Sequence, residues 1–301
     1  MRLPANWREE TIYTAMDGRT VSRIRSDDGR SYIRKPVSPN SRELWIYENV
    51  LGELPLVYPR ILVNPLSEGG MIEEHSRWIW FEDLGPLKHE YDLKTARALV
   101  RTVARWHNAD MESESRVPKQ GLKPSYREAA VELVSKREHY AAVASEYGMD
   151  PRKLAGIYSE LERSRPSDEL VFSHGDLHVG NYAFANGRLC VMDWEHAHLS
   201  SRHWDLFHLI DLTHPLYPRK IELEWRDALL HDYFTETDKL GMRLDRRTFL
   251  AEYMLFAAVY SLWMLRLIRS DLEKPDCVWT HAQLRRQADE TARILHQLLQ
   301  R

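Results

Sequence analysis

Only two cysteines, Cys190 and Cys277, occur in the chain, too few for a disulfide framework, so a reducing cytoplasm is the expected setting. An excess of either charge is also missing. Against 42 Lys and Arg stand 45 Asp and Glu, and the net charge of −3 gives no support for a nucleic-acid partner. No hydrophobic run is long enough to span a bilayer: the most apolar stretch, Tyr253–Leu265, falls short of roughly 20 residues, and Arg266 and Arg269 follow it. That stretch reads as a buried core helix, and no membrane partner is expected. The N-terminus, beginning Met1-Arg2-Leu3-Pro4, lacks the apolar core of a signal peptide. No Gly-x-Ser-x-Gly elbow occurs, and Cys190 falls in an apolar run where an inert thiol is expected, so a Ser or Cys nucleophile has little support.

What is present is an ordinary enzyme composition, 43% hydrophobic and 29% charged, over 301 residues, enough for one large domain or two lobes. The first third reads as strands and turns. Asp17-Gly18 and Asp27-Asp28-Gly29 are turn signals, with strands expected at Thr20–Arg25 and Ser31–Lys35. Ser38–Ser41 offers a helix N-cap, and Leu44, Tyr47, Val50 and Leu51 fall at helical spacing over Ser41–Leu51. Further strands are expected at Leu56–Val63 and Arg77–Phe81, the second stopping at Glu82-Asp83-Leu84-Gly85. Helices then read over Leu93–Asn108, Ser125–Glu146 and Pro151–Arg163, with a loop at Asp110–Pro124. Strand character returns at Leu170–Ser173 and Arg188–Asp193, around an Asn186-Gly187 turn. Helices near Glu222–Leu240, Arg246–Ile268 and His281–Leu299 finish the chain. The expected class is α+β and two-lobed: a small β-rich lobe over 1–82, a hinge near Glu82–Gly85, and a larger helical lobe over 83–301.

The densest polar cluster is Ser173-His174-Gly175-Asp176-Leu177-His178-Val179-Gly180-Asn181, which leaves the apolar Leu170–Phe172 for a loop. Twelve residues after Asn181, Asp193 ends the run Leu189–Met192 and is followed by Trp194-Glu195. Alone, Asp176, Asn181 or Asp193 would read as a cap or turn residue. Together they supply what phosphoryl transfer demands. One loop carboxylate takes or orients the proton of an attacking hydroxyl, while an amide oxygen and a second carboxylate hold the divalent ion that bridges nucleotide phosphates.

This pattern resembles the aminoglycoside phosphotransferase and choline kinase superfamily, whose fold is that of the protein kinases. The His-Gly-Asp-x-x-x-x-Asn loop stands here as His174–Asn181, and the metal-binding Asp with its aromatic and acidic followers as Asp193-Trp194-Glu195. The resemblance implies that Asp176 is the catalytic base, that Asn181 and Asp193 bind Mg2+, and that His174 holds the loop. Asp205, in Trp204-Asp205-Leu206-Phe207, is similar to an Asp that braces that loop. Glu82-Asp83-Leu84-Gly85 is similar to an acidic hinge, where adenine would meet backbone near Phe81, Glu82 and Asp83. Ala104–Asn108 is similar to the helix end that follows the hinge and carries no expected catalytic role.

Kinase-like folds place a Lys at a strand end to contact the α- and β-phosphates, paired with a Glu of the next helix. Lys35 and Glu43 fill those positions, with Arg34 and Glu48 as the nearest rivals; a solvated Lys and a dipole-favoured Glu are the plain alternative. Met16–Thr20 sits where a phosphate-covering loop belongs but carries only Gly18, which leaves the register of that loop open.

The reading that results is an ATP- and Mg2+-dependent transfer of the γ-phosphate to a hydroxyl of a small molecule, an amino sugar, amino alcohol or similar. A nucleotide-binding pseudokinase or scaffold of the same fold is the alternative, and a protein kinase is disfavoured by the thin glycine loop. His174-x-Asp176-x-His178 also has ligand-like spacing, but a metal-dependent phosphoesterase needs further Gly-Asp and Asn-His elements that the chain lacks. On the acceptor side, Trp204, Trp225, Trp263, Trp279, Tyr217 and Tyr260 offer an aromatic wall, and Asp211, Glu222 and Glu224 negative charge. An aromatic at helical spacing is more often core. No residue pattern selects the acceptor or an oligomeric state.

Overall fold

Along Thr20–Ser26, buried Ser22, Ile24 and Ser26 alternate with Arg23 and Arg25, the period of a half-buried strand, and the first sheet grows around it. A computed structural model of the chain describes residues 7–14, 18–36, 42–55, 58–63, 78–111, 116–163, 169–219 and 222–300. Strands β1 (Trp7–Thr14), β2 (Thr20–Ser26), β3 (Ser31–Pro36), β4 (Ile61–Val63) and β5 (Trp78–Glu82) form one sheet in the order β1-β2-β3-β5-β4. Every neighbouring pair is antiparallel. The expected turn at Asp27–Gly29 closes the β2–β3 hairpin, with Gly29 at φ 83°.

Strand β1 is absent from the sequence-based expectation, and its burial shows why. All eight of its residues are exposed, so no alternation marks it; it is an edge strand held by backbone pairing to β2. The strand expected from Leu56 is confined to Ile61–Val63, with Leu56 and Val57 outside the described residues. Met16, Asp17, the cap Ser38–Ser41 and Arg77 also lie outside them.

Helix α1 (Arg42–Asn49) packs its buried face against the turn Trp194–His196 of the helical part, and so joins the sheet to the rest of the molecule. Beyond the sheet come α2 (Leu93–His107), α3 (Tyr126–Ser135), α4 (Arg137–Glu146) and α5 (Pro151–Arg163). The first is capped by Asp92, whose carboxylate accepts from Thr95 N at 2.6 Å; α3 opens with a capping box of Ser125 and Glu128. Ser125–Glu146 was expected as one helical stretch; it breaks at Lys136, whose ψ of 35° leaves the α region.

Strands β6 (Val171–Ser173) and β9 (His198–Ser200) pair antiparallel, as do β7 (Tyr182–Ala185) and β8 (Arg188–Val191). Asn186 and Gly187, both at positive φ, make the tight turn between β7 and β8 that the Asn-Gly pair signals. Helix α6 (His203–Ile210) has every residue buried and therefore no amphipathic period, so periodicity did not reveal it. Helices α7 (Leu223–Lys239), α8 (Arg246–Leu272) and α9 (His281–Leu298) follow. Helix α8, at 27 residues, outruns the expected apolar stretch and is long and apolar enough to cross a membrane. Its most apolar window is 67% buried, however, packed against α3, α4, α5, α6 and α9, as a core helix is.

At the centre of this helical part, Arg226 donates to Asp211 from Nη2 at 2.6 Å, and Tyr253 Oη donates to the same carboxylate at 2.6 Å. Both charged side chains are fully buried. Asp211, expected to offer charge to an acceptor, is thus committed to the core. Removing one partner strands a buried charge, which costs about 3–5 kcal/mol. Asp211→Asn is therefore expected to lower unfolding free energy by roughly 3 kcal/mol or more in urea titration, and an unchanged midpoint would contradict the assignment.

Candidate active site

Strand β3 turns Arg34 and Lys35 to opposite faces, and the two candidate bases part company there. Arg34 pairs with Glu9 and lies over the Trp78 ring at 4.1 Å. Lys35 Nζ instead reaches Glu43 Oε2 at 2.8 Å and Asp193 Oδ1 at 2.7 Å. Glu43 is buried on α1, whereas Glu48 faces solvent. Burial works to discharge the Lys35 ammonium, but the carboxylates of Glu43 and Asp193 outweigh it and push its pKa up. Burial would likewise raise Asp193, and the ammonium beside it brings the carboxyl below its usual value.

The loop His174–Asn181 is built on a buried carboxylate. Asp205, in the first turn of α6, accepts from His174 N at 3.0 Å, Gly175 N at 3.4 Å and Trp106 Nε1 at 3.1 Å, with His107 Nε2 at 3.3 Å. The end of α2, expected to carry no catalytic role, thus helps hold the loop. Gly175 sits at φ 87°, and a Cβ there would fall 2.0 Å from the His196 carbonyl oxygen, so no side chain fits. His174 Nε2 donates to Met192 O at 2.8 Å and its ring lies 4.5 Å from that of Trp194, which ties the loop to the residues around Asp193. Burial depresses its pKa and keeps it neutral.

Asn181 Nδ2 donates to Asp176 O at 2.8 Å, which fixes the carboxamide orientation and leaves Oδ1 as its metal-capable atom. Met192 N donates to Asn181 O at 2.8 Å, so Asn181 and the segment carrying Asp193 are joined through the backbone. Asp193 itself is left-handed, φ 63° and ψ 64°, a conformation rare outside glycine, Asn and Asp and worth attention at a functional position. Amide and carboxylate oxygens are hard donors that suit a divalent ion of the magnesium class. Among the described residues no three His, Cys, Asp or Glu side chains converge as a metal-binding group, so an ion here would draw its other ligands from phosphates and water.

At Phe81–Asp83 the side chains have partners within the protein. Glu82 pairs with Arg60 at 2.9 Å, and Asp83 accepts from Arg23 at 2.7 Å, Ser31 at 2.5 Å and Gly85 N at 2.9 Å. Phe81 is buried 5.4 Å from Tyr47. Gly18, at φ 82°, begins the described chain before β2, with nothing within 4 Å of a Cβ placed on it.

Around Asp176 the structure adds residues that spacing could not reveal. Lys123 Nζ lies 2.9 Å from Asp176 Oδ1 and 3.2 Å from His208 Nε2, and His178 Nε2 lies 3.4 Å from Oδ2. Burial favours protonation of Asp176, but Lys123 and His178 overcome it and hold the carboxyl well below the usual range. The expected aromatic wall divides. Trp204 donates to Gly175 O at 3.0 Å and Tyr260 to Pro124 O at 2.6 Å, so both are buried supports, and Trp263 packs beside Tyr260. Trp225 meets Tyr91. Tyr217 and Trp279, joined through His214, stay partly exposed near His178. Cys190 is buried, its thiol pushed up to about 12 by burial, as an inert cysteine is.

A model of the phosphotransferase enzyme family, APH, matches residues 58–244. No curated protein matches the sequence. Among solved structures, spectinomycin phosphotransferase APH(9)-Ia in complex with ADP and spectinomycin is 14% identical with a TM-score of 0.59, covering 98% of this chain and 93% of that one. Amicoumacin kinase hAmiN in complex with AMP-PNP, Ca2+ and Ami is 15% identical at 0.62, covering 96% and 88%. A choline/ethanolamine kinase family protein from Mesorhizobium loti is 15% identical at 0.56, covering 98% and 88%. At these identities the likeness shows the fold: a small antiparallel sheet ahead of a helical body, as in kinase-like phosphotransferases.

The buried imidazoles make a pH prediction. Burial depresses His203 to about 4 and His208 to about 3, against about 6.5 when unfolded. The unfolded chain therefore takes up protons first as pH falls, and stability is lost below about pH 6.5. From pH 7 to 5 each imidazole should cost about 2 kcal/mol. Urea midpoints at the two pH values check this, and equal stability at both would contradict it.

Proposed function

This chain belongs to the phosphotransferase enzyme family, and from that premise we propose that it transfers the γ-phosphate of ATP to a hydroxyl of a small molecule. The observation that carries the reading is the Lys35 ammonium held between Glu43 and Asp193, which joins β3, α1 and the segment after β8 at one point. In this reading Glu43 fixes Lys35 and Lys35 positions the α- and β-phosphates. The sheet-bearing part up to Glu82 holds the nucleotide, adenine meets backbone at Phe81–Asp83, and Gly18 belongs to the turn over the phosphates. Asn181 and Asp193 hold Mg2+. Bound there, the ion would supply positive charge to offset that of the phosphates.

Asp176 orients the acceptor hydroxyl and takes its proton as the new bond forms. Its depressed pKa suits a loose transition state, in which positioning matters more than strong basicity. The similar structures are, by name, a phosphotransferase of spectinomycin, a kinase of amicoumacin and a member of the choline/ethanolamine kinase family, which supports a small acceptor. A cytoplasmic setting, where ATP is abundant and thiols stay reduced, accords with this.

Asp176→Asn is expected to lower phosphate transfer by about 10²-fold or more while ADP affinity changes less than about twofold. Mass detection of phosphorylated product over an acceptor panel, together with a fluorescent-nucleotide titration, reads both quantities. Turnover retained in that variant would remove Asp176 from the chemistry.

A further inference from the structure

Asp176 is flanked differently on its two sides, and the difference bears on the acceptor. On one side stands Lys123, from the loop before α3. His208 Nδ1 donates to Trp204 O at 2.9 Å, so its Nε2 carries the lone pair and accepts from Lys123 Nζ at 3.2 Å. The ammonium is thereby fixed between His208 and Asp176 Oδ1, a cation built into the edge of the site. On the other side His178 starts a stack of rings. His214 lies 4.5 Å from it at 30°, and Tyr217 5.6 Å from it at 25°. Trp279 meets His214 edge-on at 5.9 Å. His214 and Tyr217 come from the segment joining α6 to α7, and Trp279 from that before α9; all three remain partly exposed.

Of the carboxylates expected to offer charge to an acceptor, one is committed to the core. Asp211 is buried on Arg226, and Glu195 lies 3.4 Å from His196. The partly exposed side of this stack offers apolar surface to the C–H groups of a ring ligand, whereas a fixed ammonium beside Asp176 repels a second one.

Resting on the phosphotransferase reading, we propose that the acceptor is a cyclic polyol without ammonium groups, packed against the exposed side of the His178, His214 and Tyr217 stack with one hydroxyl at Asp176 beside Lys123. In the transfer, the bond from the γ-phosphorus to the ADP oxygen breaks and a bond to the hydroxyl oxygen forms. The hydroxyl proton passes to the Asp176 carboxylate and then to solvent. Lys123 touches Asp176 and acts as a positioning residue.

The test is Mg·ATP-dependent phosphorylation, read by mass, of matched acceptors: glucose, myo-inositol and glucuronate against glucosamine, kanamycin and choline, with ADP binding measured in parallel. Ammonium-free rings should exceed their amine-bearing counterparts at least tenfold in kcat/KM. Tyr217→Ala should raise the acceptor KM about tenfold with the ATP KM within twofold. Lys123→Met should narrow the discrimination against amines. Preference for amine-bearing acceptors, or an acceptor KM unmoved by Tyr217→Ala, overturns the proposal. Intact ADP binding with no transfer to any ammonium-free ring also overturns it and leaves the nucleotide reading standing. Absence of ADP binding in the parent protein overturns that reading itself.

Discussion

One ammonium group, Lys35 Nζ, is the constraint on which the rest of the site depends. It lies within 2.8 Å of two carboxylates from different parts of the chain, Glu43 on α1 and Asp193 beyond β8. Glu43 is almost wholly buried, 3% exposed at its side chain, so an unpaired charge there would be costly. Lys35 answers that charge and simultaneously draws Asp193 toward the sheet. Helix α1 completes the arrangement by packing on the turn Trp194–His196, so the ionic contact and the apolar contact reinforce each other.

A second carboxylate, Asp205, does for the loop what Lys35 does for the two parts. It gathers backbone N–H groups of His174 and Gly175 with the indole N–H of Trp106, all in the interior. His174 then passes the order on to Met192, next to Asp193. Asp193 can stay in its left-handed conformation because its surroundings fix it from three directions: Lys35, the β7–β8 hairpin and the buried Trp194. The surroundings of Lys35 and of the loop are therefore set by buried ion pairs and satisfied backbone groups. Around Asp176 stand instead a partly exposed set of rings and one lysine.

How far the sequence could be read follows from where each signal lives. Asp176, Asn181 and Asp193 lie within one short stretch, so their spacing was visible, and the turn pairs Asp28-Gly29 and Asn186-Gly187 announced their hairpins. Lys35 and Glu43 could be matched because a strand end and the next helix are local features. Strand β1 and helix α6 escaped for opposite reasons, one exposed throughout and one buried throughout, so neither had a period to detect. Lys123 meets Asp176 across 53 positions of chain, and nothing near Lys123 marks it. Asp211 was misread because a carboxylate's burial is a tertiary property: only α7 and α8 brought together supply Arg226 and Tyr253. The aromatic residues sorted the same way, with Trp204 and Tyr260 in the core and Tyr217 and Trp279 outside it.

The central claim is that Lys35, Asn181 and Asp193 form one metal-dependent nucleotide site, and calorimetric titration with AMP-PNP, with and without Mg2+, tests it most directly. Binding by the parent protein should tighten at least about tenfold when Mg2+ is present, a gain of about 1.4 kcal/mol, and Asp193→Asn should lose that gain. A parent protein that ignores the nucleotide, or an Asp193→Asn variant that keeps the full Mg2+ effect, would contradict the account.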